Sequence, residues 1–184
     1  MGGTVSLSVA IKYPERVNKV VVVGSPMVGS SLAWPLKLAG RRPIAFMLFN
    51  MMGLFRGAMR IAAPFICRDP RFPAMVDHDL SRTTVESFLL SIASLRRTDL
   101  RPMLDQVQAP ALGMYGDKDI IVDPLQWQPM QNGIKNVRIE RFQTSGHFPM
   151  LEEPTDFSQR LKAFLDEPIS RQSIPQASSI SAML

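Results

Sequence analysis

A run of four valines, Val20 to Val23, constrains the fold of this chain more than any other feature. β-Branched residues favour extended backbone, and a run without polar alternation is typical of a strand buried on both faces. Gly24, Ser25 and Pro26 follow at once and predict a turn at the end of this strand. Strands of this kind belong to parallel sheets covered by helices, so the run predicts an α/β fold.

The rest of the chain supplies strands and helices in the alternating order that such a fold needs. Two further short apolar runs predict strands at Ala111 to Tyr115 and Val137 to Phe142. Apolar residues at helical spacing predict four helices, at Gly2 to Tyr13, from a cap at Ser81 onward, at Pro124 to Asn132 and at Thr155 to Leu165. Strands joined through helices run parallel, so we expect about three parallel strands with flanking helices.

The segment after the first strand differs in composition from the rest of the chain and is rich in Met, Phe, Arg, Gly and Pro. It predicts a helical insertion with short helices at Leu32 to Ala39, Pro43 to Leu54 and Arg56 to Ile66. The Ser-rich end of the chain has no sustained period and predicts a mobile tail. The expected organisation is an α/β core at 1–26 and 99–167, a helical cap or lid at 27–98, and a disordered tail at 168–184.

Composition excludes several classes of site and partner. One cysteine, Cys67, cannot build a disulfide framework, and two histidines, His78 and His147, leave little room for a zinc site. We therefore expect no metal and no cofactor. The net charge of +5 comes without a nucleic-acid-binding motif, so no nucleic acid partner is expected. We see no signal-peptide pattern and no apolar stretch of about 20 residues, and expect a cytoplasmic protein.

Three short motifs lie at the ends of predicted elements, where parallel sheets bind ligands. Met1 to Gly3 runs directly into the first helix, Gly116 to Asp119 follows the second strand, and Ser145 to His147 follows the third. A histidine can act as a general base because its pKa lies near neutrality. A carboxylate can fix its tautomer and stabilise its cation, so an acid and a histidine in this order suit nucleophilic hydrolysis.

These motifs resemble those of the α/β-hydrolase superfamily, and more narrowly its AB hydrolase-1-like, cap-containing serine hydrolases. The resemblance extends to about Pro168 and implies that Asp119 is the triad acid, with Asp117 as the alternative in the same turn. It makes His147 the general base. The family's nucleophile elbow reads Gly-x-Ser-x-Gly and usually continues from the serine as Met-Gly-Gly. The resemblance therefore puts the serine directly before Met1 and gives the Met1 position to the oxyanion hole.

The implied function is hydrolysis of an ester or a carbon–carbon bond by a Ser-Asp-His triad. Because the serine is missing, we expect this chain to be the C-terminal portion of such a hydrolase and inactive as it stands. Ser25 lacks an elbow context and Cys67 has no visible base beside it, so neither is a good replacement, and His78 is expected to be structural. The alternative is a non-catalytic hydrolase remnant that binds a ligand or a partner.

The apolar stretch from Pro43 to Phe65 indicates what kind of substrate or surface the protein could contact. In the family, a cap of this kind supplies much of the substrate pocket, which implies a small lipophilic acyl or ester-type substrate. Two other roles stay open: simple packing on the core, and contact with an anionic membrane assisted by Arg41, Arg42, Arg56 and Arg60. Without an inner neighbour, the Val20 to Val23 strand would form an exposed sheet edge, so we also expect self-association.

Overall fold

Three parallel strands form the centre of the protein. The computed structural model describes residues 2–32 and 52–169, which contain β1 (Val20–Val23), β2 (Ala111–Gly116) and β3 (Val137–Phe142). Their order in the sheet is β1-β2-β3, and both pairings are parallel. The sheet confirms the predicted α/β fold. Since all three strands run the same way, the loops that follow them meet at one edge of the sheet.

Helices connect and flank the strands. The α-helices are α1 (Gly2–Lys12), α2 (Met52–Ile66), α3 (Phe72–Ser81), α4 (Val85–Arg96), α5 (Trp127–Gly133), α6 (Pro149–Glu152) and α7 (Pro154–Asp166). Short 3-10 helices lie at Pro14–Arg16, Gly29–Ser31, Arg101–Gln106 and Pro124–Gln126. Among the helices described, none is long and apolar enough to cross a membrane.

Helices cover both faces of the sheet, which explains why β2 is buried at all six positions. On one face, α1 and α5 pack on the strands through Leu7 and Met130. On the other face, α7 contributes Phe164 to a cluster with Met114 and Phe142. The apolar sequences of β1 and β2 follow from this cover, whereas β3 carries Arg138, Glu140 and Arg141 and is fully buried only at Phe142.

A third cluster joins helices α2 and α3 to the loop that follows β3. Ala63, Cys67 and Phe72 are buried there, and the rings of Phe72 and Phe148 lie 4.7 Å apart between centroids. Asp77 of α3 also accepts hydrogen bonds from two arginines of α2, which hold the two helices together. The end of α2 is thereby fixed close to the predicted histidine motif.

Two local predictions in the insertion were wrong. Ser81 does not begin a helix: it ends α3, and Thr84 caps α4 by accepting a hydrogen bond from the Ser87 amide at 3.1 Å. Helix α3 was not predicted, because its apolar pattern is short and Phe72 is its buried residue. The break expected at Phe55 is also absent, since α2 runs through it.

Several predictions fall outside the described residues. These are Met1, the helix at Leu32 to Ala39 beyond Leu32, most of the helix at Pro43 to Leu54, and the tail from residue 170 onward. The proposed boundaries of core and cap remain predictions.

In the described part of the chain, β1 pairs only with β2 and so lies at the edge of the sheet. Beside it is an open groove of about 810 Å³ between α1 and the end of α7. Val5, Val9 and Leu165 line this groove and are exposed. We expected self-association because β1 would form an exposed edge. In the described sheet β1 does lie at an edge, and self-association itself stays a prediction.

Replacing Phe72 with alanine should loosen the contact of α3 with the loop after β3. A buried phenylalanine lost in this way costs about 3–5 kcal/mol of unfolding free energy. Cys67 lies in the same cluster and is 2% exposed, and burial raises the pKa of its thiol. We expect Phe72→Ala to speed labelling of Cys67 by a thiol reagent under native conditions. Phe65→Ala, at a position 78% exposed, is the control and should leave the rate unchanged; equal rates in both variants would contradict the assignment.

Candidate active site

The turn after β2 holds a buried carboxylate, that of Asp119. Its Oδ1 atom accepts hydrogen bonds from the amides of Ile121 at 2.7 Å and Val122 at 3.0 Å. The side chain is only 4% exposed. Two backbone donors to one oxygen fix the orientation of the carboxylate and compensate the loss of water around it.

The second oxygen of this carboxylate faces a histidine from another loop. Asp119 Oδ2 lies 2.7 Å from His147 Nδ1. The imidazole is 22% exposed and meets the ring of Phe148 edge-on, with 4.9 Å between centroids. When Nδ1 carries the proton and donates it to Asp119, Nε2 has a free lone pair. The pair can therefore accept a proton at Nε2 and stabilise the resulting cation.

Glycines let these two loops approach each other. A Cβ atom at Gly116 would lie 2.0 Å from the Gly146 carbonyl oxygen and 2.4 Å from that of Ser145. The same approach lets the Lys118 amide donate to the Ser145 carbonyl at 3.0 Å. A side chain at Gly116 would thus displace the backbone that carries His147.

Gly24, directly after β1, brings a third loop to the imidazole. Its φ of +52° is in the left-handed region that favours glycine. A Cβ atom there would lie 3.2 Å from His147 Nδ1. The end of β1 therefore lies against His147.

The start of α1 meets the same turn. A Cβ atom at Gly3 would lie 2.7 Å from the Ser25 Oγ atom, and Thr4 Oγ1 donates to the Pro26 carbonyl at 2.9 Å. Since Gly24 touches His147, adjacent residues of one turn contact both the histidine and the first turn of α1. All three sequence motifs thus converge at one edge of the sheet, although Met1 itself is outside the described residues.

A family model described as "Serine aminopeptidase, S33" matches residues 1–154. The chain belongs to this family. This match, together with the hydrolytic relatives below, confirms the hydrolase superfamily that the motifs implied, and the solved structures that resemble the chain share its α/β fold.

Curated relatives of this S33-family chain are hydrolytic enzymes. It is 27% identical over 172 residues to 3-oxoadipate enol-lactonase 2 of Acinetobacter baylyi, covering 90% of this chain and 61% of that protein. It is 28% identical over 179 residues to the 2-hydroxy-6-oxononadienedioate/2-hydroxy-6-oxononatrienedioate hydrolase of Escherichia coli, covering 91% and 60%. The chain thus spans about three fifths of the length of these relatives.

Solved structures share the fold of this S33-family chain at lower identity. The enol-lactonase from Burkholderia xenovorans LB400 aligns with a TM-score of 0.71 at 20% identity, over 91% of this chain and 63% of that one. An esterase from Exiguobacterium antarcticum aligns with a TM-score of 0.69 at 22% identity, over 90% and 63%.

The structure separates the two acids of the Gly116 to Asp119 turn. The Asp117 carboxylate is bound by Arg141 through two hydrogen bonds of 2.9 Å, and that guanidinium lies 5.2 Å from the centre of the Trp127 ring. His147 is paired with Asp119 instead. The geometry therefore favours Asp119 over the alternative acid that the S33-family motif left open.

The other candidate residues are held away from this pair or lack its chemistry. Cys67 is buried in the apolar cluster with Phe72, and burial raises the pKa of its thiol, which disfavours the reactive thiolate. Ser25 is 3% exposed, and His78 is an exposed residue of α3. Among the residues that the structure describes, no three His, Cys, Asp or Glu side chains gather where they could hold a metal ion.

Two glutamates support the histidine loop, and sequence reasoning gave them no role. Glu153 Oε1 accepts hydrogen bonds from the Thr144 and Ser145 hydroxyls, each at 2.6 Å, and these bonds hold the pKa of Glu153 below its ordinary value. Glu152 accepts from the Gly146 amide at 2.5 Å. The closeness of Glu153 to the histidine in sequence was a signal that could have found it, whereas Glu152 bonds to Arg68, 84 residues away, and had no such signal.

Replacing Gly116 with alanine should displace the histidine loop. The new methyl group would meet two carbonyl oxygens of the backbone, and overpacking of this kind costs about 1–3 kcal/mol of unfolding free energy. Urea unfolding measures the loss. Gly57→Ala in α2 is the matched control: no atom lies within 4 Å of a Cβ there, so the variant should be neutral or slightly more stable. Equal stability of the two variants would refute the close approach.

Glu153→Gln should lower stability at neutral pH and do so less in acid. The pKa of Glu153 is lower in the folded protein than its ordinary 4.5, so its contribution is complete above about pH 5. That contribution is lost as the pH falls through the folded-state pKa, where the carboxylate takes up a proton. The difference in unfolding free energy between wild type and variant should therefore shrink between pH 6 and pH 3. A difference that is constant over this range would count against the carboxylate's role.

Proposed function

We propose that this chain carries the acid and the base of a Ser-Asp-His hydrolase. His147 is the general base and Asp119 is the acid that orients it. The observation that carries the proposal is the 2.7 Å contact between His147 Nδ1 and Asp119 Oδ2, with the other carboxylate oxygen held by two backbone amides. An acid fixed on both oxygens holds the imidazole in the tautomer that a general base requires.

The proposed nucleophile is a serine that directly precedes Met1 in a longer form of the protein. The start of α1 contacts Ser25, and its neighbour Gly24 contacts His147, so a residue ahead of α1 would be near the imidazole. In the S33 family's fold, the residue after the serine gives its backbone amide to the oxyanion hole, which is the position of Met1. The position of the start of α1 near His147 thus supports a serine ahead of Met1, and the proposal assigns the nucleophile to no residue of the described chain.

The reaction follows from these assignments. His147 takes the proton of the serine hydroxyl as its oxygen attacks the substrate carbonyl, and the negative oxygen of the tetrahedral intermediate is bound by backbone amides. The leaving group departs with the proton from His147, which leaves an acyl-serine. Water then attacks the acyl group while His147 takes its proton, and the serine is released with the carboxylic acid.

The substrate is proposed to be a small molecule with a lipophilic acyl, ester or carbonyl group. Relatives named for an enol-lactone and for an oxo-dienedioate support the ester and carbonyl part of that class. In α2, the side chains of Leu54, Ile61 and Phe65 are 65–78% exposed, and an apolar surface of this kind suits a cap over such a substrate.

The test needs the codons that precede Met1. The 184-residue chain and the longest product of the continuous reading frame are each assayed with p-nitrophenyl butyrate, together with their His147→Ala and Asp119→Asn variants. We expect hydrolysis by a product that contains Gly-x-Ser before Met1, and a loss of about 10⁴-fold in kcat in both variants.

Two outcomes would overturn the proposal. One is a serine-containing product whose rate is unchanged by His147→Ala. The other is a stop codon directly before Met1 together with an inactive chain, which would favour the alternative of a non-catalytic protein that binds a ligand or a second copy through the β1 edge. Analytical ultracentrifugation of the same samples tests that self-association.

A further inference from the structure

The carboxylate of Glu152 joins two parts of the protein that are distant in sequence. Its side chain is 3% exposed. Oε2 accepts from the Gly146 amide at 2.5 Å, directly before His147. Oε1 accepts from the Arg68 amide at 3.0 Å and from Arg68 Nε at 3.1 Å. One carboxylate therefore bonds the histidine loop through one oxygen and the segment between α2 and α3 through the other.

Arg68 completes the same connection from its own side. The residue lies just beyond the end of α2, and its Nη2 atom donates to the Thr144 carbonyl. The end of α2 also lies close to the loop, since a Cβ atom at Gly146 would be 3.2 Å from the Ile66 carbonyl oxygen. Arg68 and Glu152 thus fix residues 144 and 146 relative to the α2–α3 segment.

The other supports of the histidine loop come from the sheet side of the protein. Lys118 belongs to the turn after β2, and Glu153 follows α6 directly. Neither bonds to α2 or α3 in the contacts described above. Among the described contacts, Arg68 is therefore the polar link between the α2–α3 segment and the backbone near His147, through Glu152 and through the Thr144 carbonyl.

We propose that Glu152 is a positioning residue that couples the placement of α2 and α3 to the hydrogen bond between His147 and Asp119. The proposal rests on the function proposed above, because it concerns the geometry of the same base. A buried carboxylate that loses one set of donors must move toward those that remain or toward water. Displacing α2 therefore pulls Glu152 away from Gly146 and shifts the imidazole.

The first test observes the His147 Nδ1 proton by NMR and needs no turnover. The 184-residue protein is compared with Arg68→Ala and Glu152→Gln, in a His78→Gln background that leaves one histidine. We expect both variants to shift or broaden the proton resonance, and Asp119→Asn to abolish it. Urea unfolding of each sample measures any loss of stability separately, since a merely structural role would lower stability and leave this resonance unchanged.

Arg71→Ala is the matched control. Arg71 lies in the same segment between α2 and α3 but bonds to the neighbouring Asp69, through its amide, Nε and Nη2 atoms. Its loss should leave the resonance as in wild type. Were Glu152→Gln to prevent folding, Arg68→Ala would still decide, because it keeps the carboxylate and removes the guanidinium that bonds both Glu152 and the Thr144 carbonyl.

The second test uses the product that hydrolyses p-nitrophenyl butyrate. Arg68→Ala and Glu152→Gln should each lower kcat roughly 10- to 100-fold with little change in KM, as expected for a misplaced catalytic group. The double variant should lose less than the product of the two single losses, because the two residues share the Arg68–Glu152 contact while Arg68 also bonds the Thr144 carbonyl.

The outcomes of the two proposals are distinguishable. A rate unaffected by His147→Ala overturns the proposed hydrolase, while the NMR comparison still tests the coupling. The positioning role is overturned if the Nδ1 resonance of both variants matches wild type, or if Arg71→Ala shifts it as much as Arg68→Ala does.

Discussion

The close approach of the turn after β2 to the loop after β3 is the constraint on which the rest of the site depends. At Gly116 the two backbones are so near that a single methyl group would overlap the carbonyl of Gly146. That approach is possible because β2 and β3 are adjacent and parallel, so both loops leave the sheet at the same edge. It places Asp119 and His147 within hydrogen-bond distance although 28 residues separate them in the chain.

Carboxylates that are almost removed from water then hold these loops in place. Asp119 and Glu152 are 4% and 3% exposed at their side chains, and each is surrounded by donors from more than one residue. A buried charge is costly unless it is fully hydrogen-bonded, so each carboxylate favours one arrangement of the backbone around it. The histidine loop is thus defined by acceptors that tolerate little displacement, which is the property that a preorganised base requires.

The sequence alone predicted the sheet and the acid–base pair, and the reason is local. The residues of β2 are buried at all six positions and those of β1 are buried or half-buried, so their apolar pattern is strong enough to predict strands. The insertion was predicted less well because its pattern is ambiguous: Ser81 and Thr84 are both good caps, and the choice depends on α3, which forms against Phe148. The role of Glu152 could not be predicted, because it depends on where the end of α2 lies in space.

The contacts that orient His147 are separate from the nucleophile with which it would react. Every contact that orients His147 comes from residues between Gly24 and Glu153, so the chain carries the information that places the imidazole. A nucleophile adds a partner for Nε2 and does not create this geometry. The chain spans about three fifths of its curated relatives' length, and within it the acid–base pair lies together with the groups that hold it in place. The placement of α2 and α3 then affects the position of His147 separately from the sheet, because the polar link from these helices runs through Arg68 and Glu152.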